Sequence, residues 1–223
     1  MKKISFCTTC KGRLWQLKQT LPKNIDFLNE ETDLIILDYQ SPDGLKEWLE
    51  ENYKEALDKG FIKYFRLLHP YNFYCAYAKN VAHRLAQGDV LFNLDADGFI
   101  NETLVEELRN LKDTEILVPR YHGNDEGSFG RLGYTKETFY KLNGYSENII
   151  KMQDDDGNLR YRATFYPLRP VHSRKTHVAV QNTPAQKELY TDVEGLIPPP
   201  NNWPKSWGVA EIEDRFAKRC DLI

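Results

Sequence analysis

The residues best placed to do chemistry follow an abrupt change of character. Val90-Leu91-Phe92-Asn93-Leu94 runs directly into Asp95-Ala96-Asp97-Gly98. The apolar run reads as a strand buried on both faces, as in a parallel sheet. Carboxylates at the C-terminal end of such a strand lie where open α/β sheets bind ligands. Two acids one residue apart can both offer oxygens to one hard divalent cation, and a cation there suits the phosphates of a nucleotide. A plain surface turn is the alternative, since Asp-Gly is a common turn dipeptide. A calcium-binding EF-hand loop fails on spacing, because it needs Gly at its sixth position and Gly98 is the fourth.

Two further clusters carry charge. Asp154-Asp155-Asp156 reads either as a solvated helix start favoured by the helix dipole or as a source of a general base. Asp156 and Arg160 are four apart and could pair on one helix face. Arg169-Pro170-Val171-His172-Ser173-Arg174-Lys175-Thr176-His177 concentrates two histidines among three Lys and Arg residues, which suggests an anion site with a possible metal ligand.

Regular elements must hold these clusters in place. Lys2–Thr8 reads as a first strand, and Leu14, Leu17 and Leu21 recur at helical spacing until Pro22, expected to stop that helix. Residues 33–38 form a buried strand. Ser41-Pro42-Asp43 should open the next helix, with Ser41 as N-cap, and Gly60 should close it. Phe61–Leu68 is a third strand, Ala78–Leu85 a helix face and Val90–Leu94 the fourth strand. Alternation of this kind implies an α/β fold with a mostly parallel, Rossmann-like sheet and helices on both faces. The dinucleotide fingerprint G-x-G-x-x-G is missing after strand one, where Cys7-Thr8-Thr9-Cys10-Lys11-Gly12 stands, so an NAD or FAD site is disfavoured. Later come a helix at 102–111, a strand at 115–118, a loop and bent strand at 121–134, a helix at 136–142 and another at 154–162. The Pro-rich stretch around Pro198-Pro199-Pro200 should be extended, and Ala210–Cys220 is expected to be an amphipathic helix. Residues 1–100 thus form one β/α half ending in the acid pair, 101–180 the other half of the same domain, and 181–223 a C-terminal tail.

Composition narrows the function. A net charge of −3 over 223 residues gives no electrostatic footprint for nucleic acid. No apolar run approaches the roughly 18 residues of a membrane helix, and the N-terminus lacks the apolar core of a signal peptide. The expected location is cytoplasmic, free or peripheral at a membrane surface. Cys7 and Cys10 form a C-x-x-C without a second half-site for zinc, and no other redox feature accompanies them, so they read as ordinary reduced thiols.

Taken in order, the segments resemble those of GT-A glycosyltransferases, close to family 2 and sharing features with the β-1,4-galactosyltransferase group, over roughly residues 1–180. Leu37-Asp38-Tyr39-Gln40-Ser41-Pro42-Asp43 stands for V-D-x-G-S-x-D. Ala78-Lys79-Asn80 stands for A-R-N, and Leu94-Asp95-Ala96-Asp97 carries the DXD. The stretch from Gln153 to Arg160 resembles E-D-D-D-x-x-x-R, and His172-Ser173-Arg174 resembles H-S-R. Gln153 and Gln40 depart from the pattern, replacing Glu and Gly. The resemblance implies that Thr8, Arg13, Asp38 and Lys79 contact the nucleotide. It places Asp95, Asp97 and His172 on Mn²⁺ or Mg²⁺, and Asp95 also on the donor. Asp154 becomes the base of an inverting displacement, with Asp155, Asp156 and Arg160 near the acceptor. The implied activity is metal-dependent transfer from a nucleotide-diphosphate sugar, a UDP-sugar first, to a glycan or lipid-linked saccharide acceptor. Trp203 and Trp207 could stack on sugar rings or pin the tail to the core. A sugar nucleotidyltransferase on the same fold, or an inactive carbohydrate- or nucleotide-binding module, are the alternatives.

Overall fold

The computed structural model describes residues 1–68, 73–120, 129–149, 154–175, 177–181, 183, 207–216 and 218–222. Its first half follows the expected alternation: β1 (Ile4–Cys10), α1 (Leu14–Asn24), β2 (Thr32–Asp38), α2 (Leu45–Asn52), α3 (Lys54–Asp58), β3 (Ile62–Leu67), α4 (Cys75–Leu85) and β4 (Val90–Asn93). Then come α5 (Glu102–Asn110), β5 (Glu115–Val118), β6 (Gly133–Thr135), α6 (Lys136–Lys141), α7 (Asp154–Ala163), β7 (Arg169–His172), β8 (Ala210–Asp214) and β9 (Arg219–Leu222).

The described strands form one sheet in the order β7-β5-β6-β4-β1-β2-β3-β8-β9. Its centre, β4-β1-β2-β3, is parallel. The flanks add antiparallel pairs, β6 on β4 and β8 on β3. From β1 the chain moves one way to β2 and β3, then returns to place β4 on the other side of β1. That reversal opens a crevice between the carboxyl ends of β1 and β4, the general ligand position in such sheets.

Residue alternation divides the core between the two faces of this sheet. Ile4, Phe6, Leu34, Ile36, Val90 and Phe92 pack on one side with Leu17 of α1, Leu45 of α2 and Leu104 of α5. Cys7, Ile35, Leu37 and Leu91 pack on the other with Val81 of α4, Phe139 of α6 and Leu159 of α7. Cys7 and Cys10 are three apart on a strand and fall into opposite clusters. Both are buried, and burial pushes the Cys10 thiol up to about 12. Inert packing, not redox or zinc chemistry, is their role.

Four sequence expectations change. Pro22 lies inside α1, which continues to Asn24 before a 3₁₀ turn at Ile25–Phe27. Proline in the last turn forfeits one helical bond without ending the helix. The helix expected from Ser41 begins at Leu45 behind a left-handed Gly44 and breaks at Tyr53 before α3. The expected final helix is a β-hairpin, β8–β9, added to the sheet edge beside β3; Ala210-Glu211-Ile212-Glu213 alternates with a strand's period of two. Residues 169–172, assigned no element from the sequence, form β7 parallel to β5. The tail is pinned to the core at Trp207. Its ring meets Phe139 and Tyr140 edge-on and lies under the Arg84 guanidinium. Trp203, Pro198–Pro200, Gln153 and most of the 121–134 loop lie outside the described residues.

Candidate active site

Asp95 and Asp97 follow β4 at the mouth of the crevice. Asn93 Nδ2 donates to Asp95 Oδ1 at 3.2 Å, and also to Gly130 O at 3.0 Å. The Asp95 side chain remains 36% exposed. Asp97 is buried, and burial together with Asp95 raises its carboxyl above the usual range, against the pull of Arg131 and Arg13. The pair faces an arginine: Arg131 Nη2 lies 3.1 Å from Asp97 Oδ1 and Arg131 Nε lies 3.7 Å from Asp95 Oδ2. Gly98 lets the loop turn against that arginine, because a Cβ there would stand 2.8 Å from Leu94, 3.1 Å from Asp95 O and 3.4 Å from Arg131.

Beside this pair sits the second acidic cluster. Lys79 of α4 is buried, and its ammonium spends its donors on Asp155 Oδ2 (2.7 Å) and on both oxygens of Asp156 (2.7 and 2.8 Å). One ammonium balances one carboxylate, so the second is surplus in a buried place. Burial, against Lys79 and with Asp155, pushes Asp156 up to about 7. Gly130 makes room for that carboxylate; a Cβ there would meet Asp156 Oδ2 at 2.3 Å. The three acids therefore divide. Asp155 and Asp156 bolt α7 to α4, and Asp154, the first residue of α7, is exposed. No hydrogen bond or ion pair engages Asp154 among the described residues. Behind the bolt, His83 Nδ1 donates to Lys79 O at 2.6 Å. Its Nε2 lies 2.9 Å from Tyr134 Oη, which meets Tyr145 Oη at 2.9 Å. The Lys79 ammonium lies over the Tyr145 ring.

The residues implied as nucleotide contacts fare differently. Arg13, at the start of α1, is near enough to Asp97 to act on its ionisation. Thr8 is buried, with its hydroxyl donating to Leu94 O at 2.6 Å across the crevice floor; it shapes the crevice without lining it. Lys79 serves α7 and has no donor left for a nucleotide. Asp38 ends β2 and accepts from Ser41 N (2.5 Å) and Tyr64 Oη (2.6 Å). Ser41 and Asp43 do not cap α2. They brace the β1–α1 loop instead, Ser41 Oγ accepting from Gly12 N and Asp43 Oδ2 from Leu14 N at the start of α1. Gln40 takes a left-handed backbone, φ 53°, in the position where the resembling motif has Gly. Its Nε2 is anchored on the carbonyls of Leu67 and Leu68, at 3.1 and 2.7 Å.

His172 is not brought to the acid pair. It pairs with Val118 at the end of β7, with β5 and β6 between β7 and β4. At about 4.8 Å per strand this is a lateral separation of roughly 14 Å, too far to share a cation. Ser173 and Arg174 are tied instead to Glu107 and Glu106 of α5. The histidine nearer the pair is His177, buried, its ring 5.6 Å from that of Phe92. Burial and Arg131 lower its pKa to about 4, so its ring is neutral at pH 7. Arg160 does not pair with Asp156. Its guanidinium lies over the Phe129 ring and borders a groove of about 260 Å³ with Tyr161, Ile116 and Val118.

Arg131, Asn93 and Gly130 were not legible as site residues. Arg131 lies in a glycine-containing loop region without period or motif, and only the sheet places it against β4. No group of three His, Cys, Asp or Glu side chains among the described residues forms a preformed metal cage. The pair nevertheless fits a hard divalent ion that draws most of its coordination from phosphate and water, because one carboxylate is open to solvent and the other is adjacent.

A carboxylate pair at the switch-point crevice of a parallel sheet, flanked by an acidic helix start, defines an α/β protein of the GT-A nucleotide-sugar transferase fold. The chain belongs to glycosyl transferase family 2, whose model matches residues 5–167. Similar solved structures include a mannosyltransferase, PcManGT, from Pyrobaculum calidifontis in complex with GDP-Man and Mn²⁺. That likeness has TM-score 0.63 and 14% identity, over 77% of this chain and 54% of that one. Residues 1–349 of TarS from S. aureus, in complex with UDP-GlcNAc, match with TM-score 0.64 and 15% identity, over 83% and 60%. A mutant Drosophila β-1,4-galactosyltransferase 7 with manganese, UDP-Gal and xylobiose matches with TM-score 0.60 and 16% identity, over 87% and 76%. The chain thus spans only 54 to 60% of the first two proteins. No curated protein matches it significantly. Among the described residues, no helix is long and apolar enough to cross a membrane.

Proposed function

We propose that this protein transfers a sugar from a nucleoside-diphosphate sugar to a hydroxyl of a saccharide acceptor, with inversion at the anomeric carbon. The observation that carries the reading is the acid pair at the β1–β4 crevice with the start of α7 bolted beside it through Lys79. Asp95 and Asp97 would hold Mn²⁺ or Mg²⁺, which when bound neutralises the charge that develops on the departing diphosphate. UDP and GDP are the first nucleotides to test, because similar folds are seen with UDP-GlcNAc, UDP-Gal and GDP-Man.

The chain's own residues then have separate tasks. Asp38 and Arg13 border the nucleotide end of the crevice. Asp154, exposed and held at a fixed helix start, accepts the proton of the attacking hydroxyl. Asp155 and Asp156 fix that start, so the base and the acid pair keep one geometry, and alignment contributes much of the rate. The groove bordered by Arg160 and Tyr161 lies further along the helix that carries the base, on the acceptor side. The nucleotidyltransferase alternative lacks its triphosphate cradle, since only Lys11-Gly12-Arg13 separate β1 from α1. Asp154→Asn tests the assignment: nucleotide binding should persist while transfer falls at least about 100-fold, the lower range for loss of a general base. Unchanged transfer places the base elsewhere.

A further inference from the structure

We propose that Arg131 is a resident counter-ion of the Asp95–Asp97 pair, so that a divalent cation enters this centre together with a nucleoside diphosphate and binds weakly without one. The inference rests on the reading above and adds a residue to it. Arg131 is 1% exposed. Its guanidinium is shared between two tasks. Nη2 and Nε face the two carboxylates, and Nη1 donates to His177 O and Val178 O at 3.1 and 3.0 Å. Nε has no hydrogen-bond partner of its own and is aimed at Asp95 Oδ2 from 3.7 Å.

The backbone around it is built to match. Val178 O accepts from Phe99 N, Asp97 O accepts from Val180 N, and Gly98 bridges to Ala179. Residues 177–180 are therefore strapped across the acid loop, with the arginine as the fastening between them. Gly98, lacking a Cβ, leaves the space against which the guanidinium lies.

Charge decides the consequence. Without nucleotide, two carboxylates face the Arg131 guanidinium, with Arg13 near enough to act on Asp97, so the centre carries at most one net negative charge. A divalent cation added alone would leave a net positive charge beside a buried guanidinium, where solvent screens little. A diphosphate arriving with it restores the balance. If the arginine only braced the loop, its replacement by a neutral side chain would leave the Mn²⁺ affinity of the nucleotide-free protein unchanged.

The test is a titration of nucleotide-free protein with Mn²⁺, followed by the loss of the free-ion EPR signal and repeated with UDP or GDP present. The wild type should bind Mn²⁺ at least about tenfold more tightly with the nucleotide. Arg131→Gln should gain about tenfold in Mn²⁺ affinity without nucleotide, whereas Arg131→Lys, which keeps the charge, should not. Tight Mn²⁺ binding by the nucleotide-free wild type overturns the proposal, as does a folded Arg131→Gln with unchanged affinity. If Arg131→Gln fails to fold, Arg131→Met supplies the uncharged comparison, because diphosphate ligation alone would give the wild type some nucleotide dependence. Absence of Mn²⁺ uptake with both UDP and GDP would instead remove the metal-dependent reading itself, and the proposal with it.

Discussion

Replacing Asp156 by Asn should change how stability depends on pH. Lys79 can neutralise only one of the two carboxylates it holds, and burial raises Asp156 to about 7. In the unfolded chain an aspartate ionises near 3.9. Between those values the folded protein keeps a proton that the unfolded chain has released. The contribution of Asp156 to stability is therefore fully present below about pH 4 and is lost as pH rises through about 7. A difference of about three pKa units corresponds to about 4 kcal/mol at most, at 1.36 kcal/mol per unit. Asn resembles the protonated acid and cannot ionise, and Asp155 remains to pair with Lys79. Urea unfolding of both proteins at pH 5, 6, 7 and 8, at constant ionic strength, isolates the effect as a difference. Because about one of the three units is already spent at pH 5, the stability of Asp156→Asn relative to the wild type should rise by about 2–3 kcal/mol between pH 5 and pH 8. Parallel profiles, or a wild type that gains on the variant as pH rises, would refute the surplus-charge argument. The second of these outcomes would mean that Lys79 stabilises both carboxylates in ionised form.

Other predictions follow from single positions. Gln40→Ala keeps the left-handed backbone but loses two side-chain bonds, and should cost about 2 kcal/mol. Gln40→Gly loses the same bonds but removes the strain, so it should cost about 1 kcal/mol less, measured by the same unfolding assay. Equal losses would mean that φ 53° carries no strain. Gly98→Ala should destabilise by about 1–3 kcal/mol, since its methyl would press on Leu94 and on the backbone at Asp95. It should also weaken Mn²⁺-dependent nucleotide binding; a neutral substitution would show that the acid loop can move aside. Asp154→Asn should leave stability within about 0.5 kcal/mol, because the side chain is exposed, while transfer is lost.

The alternating half of the fold could be read from sequence because β1, β2 and β4 are buried on both faces and periodic helix faces separate the strands. Asp95 and Asp97 could be placed for the same reason: a strand that ends in acid has only one end at which to carry it. The Asp154–Asp156 cluster was visible, but its division of labour was not. Nothing local shows that Lys79, about 75 residues earlier, takes two of the three acids and leaves the first. Arg131 was hidden because its role depends on β6 packing antiparallel against β4, a pairing between distant segments with no period of its own. His172 was misplaced because a motif specifies order along the chain, whereas metal sharing depends on lateral distance across the sheet. The final hairpin had a legible signal, Ala210 and Ile212 alternating with glutamates, outweighed by the amphipathic look of a longer window.

The central claim is that the Asp95–Asp97 pair holds the diphosphate of a nucleotide sugar through a divalent cation. Calorimetric titration of UDP- and GDP-sugars into wild type and Asp95→Ala, each with Mn²⁺ and with EDTA, tests it most directly. At least one nucleotide sugar should bind the wild type in a Mn²⁺-dependent way and bind Asp95→Ala at least about tenfold more weakly, a loss of about 1.4 kcal/mol. Equal binding by both proteins, or binding indifferent to EDTA, would contradict it.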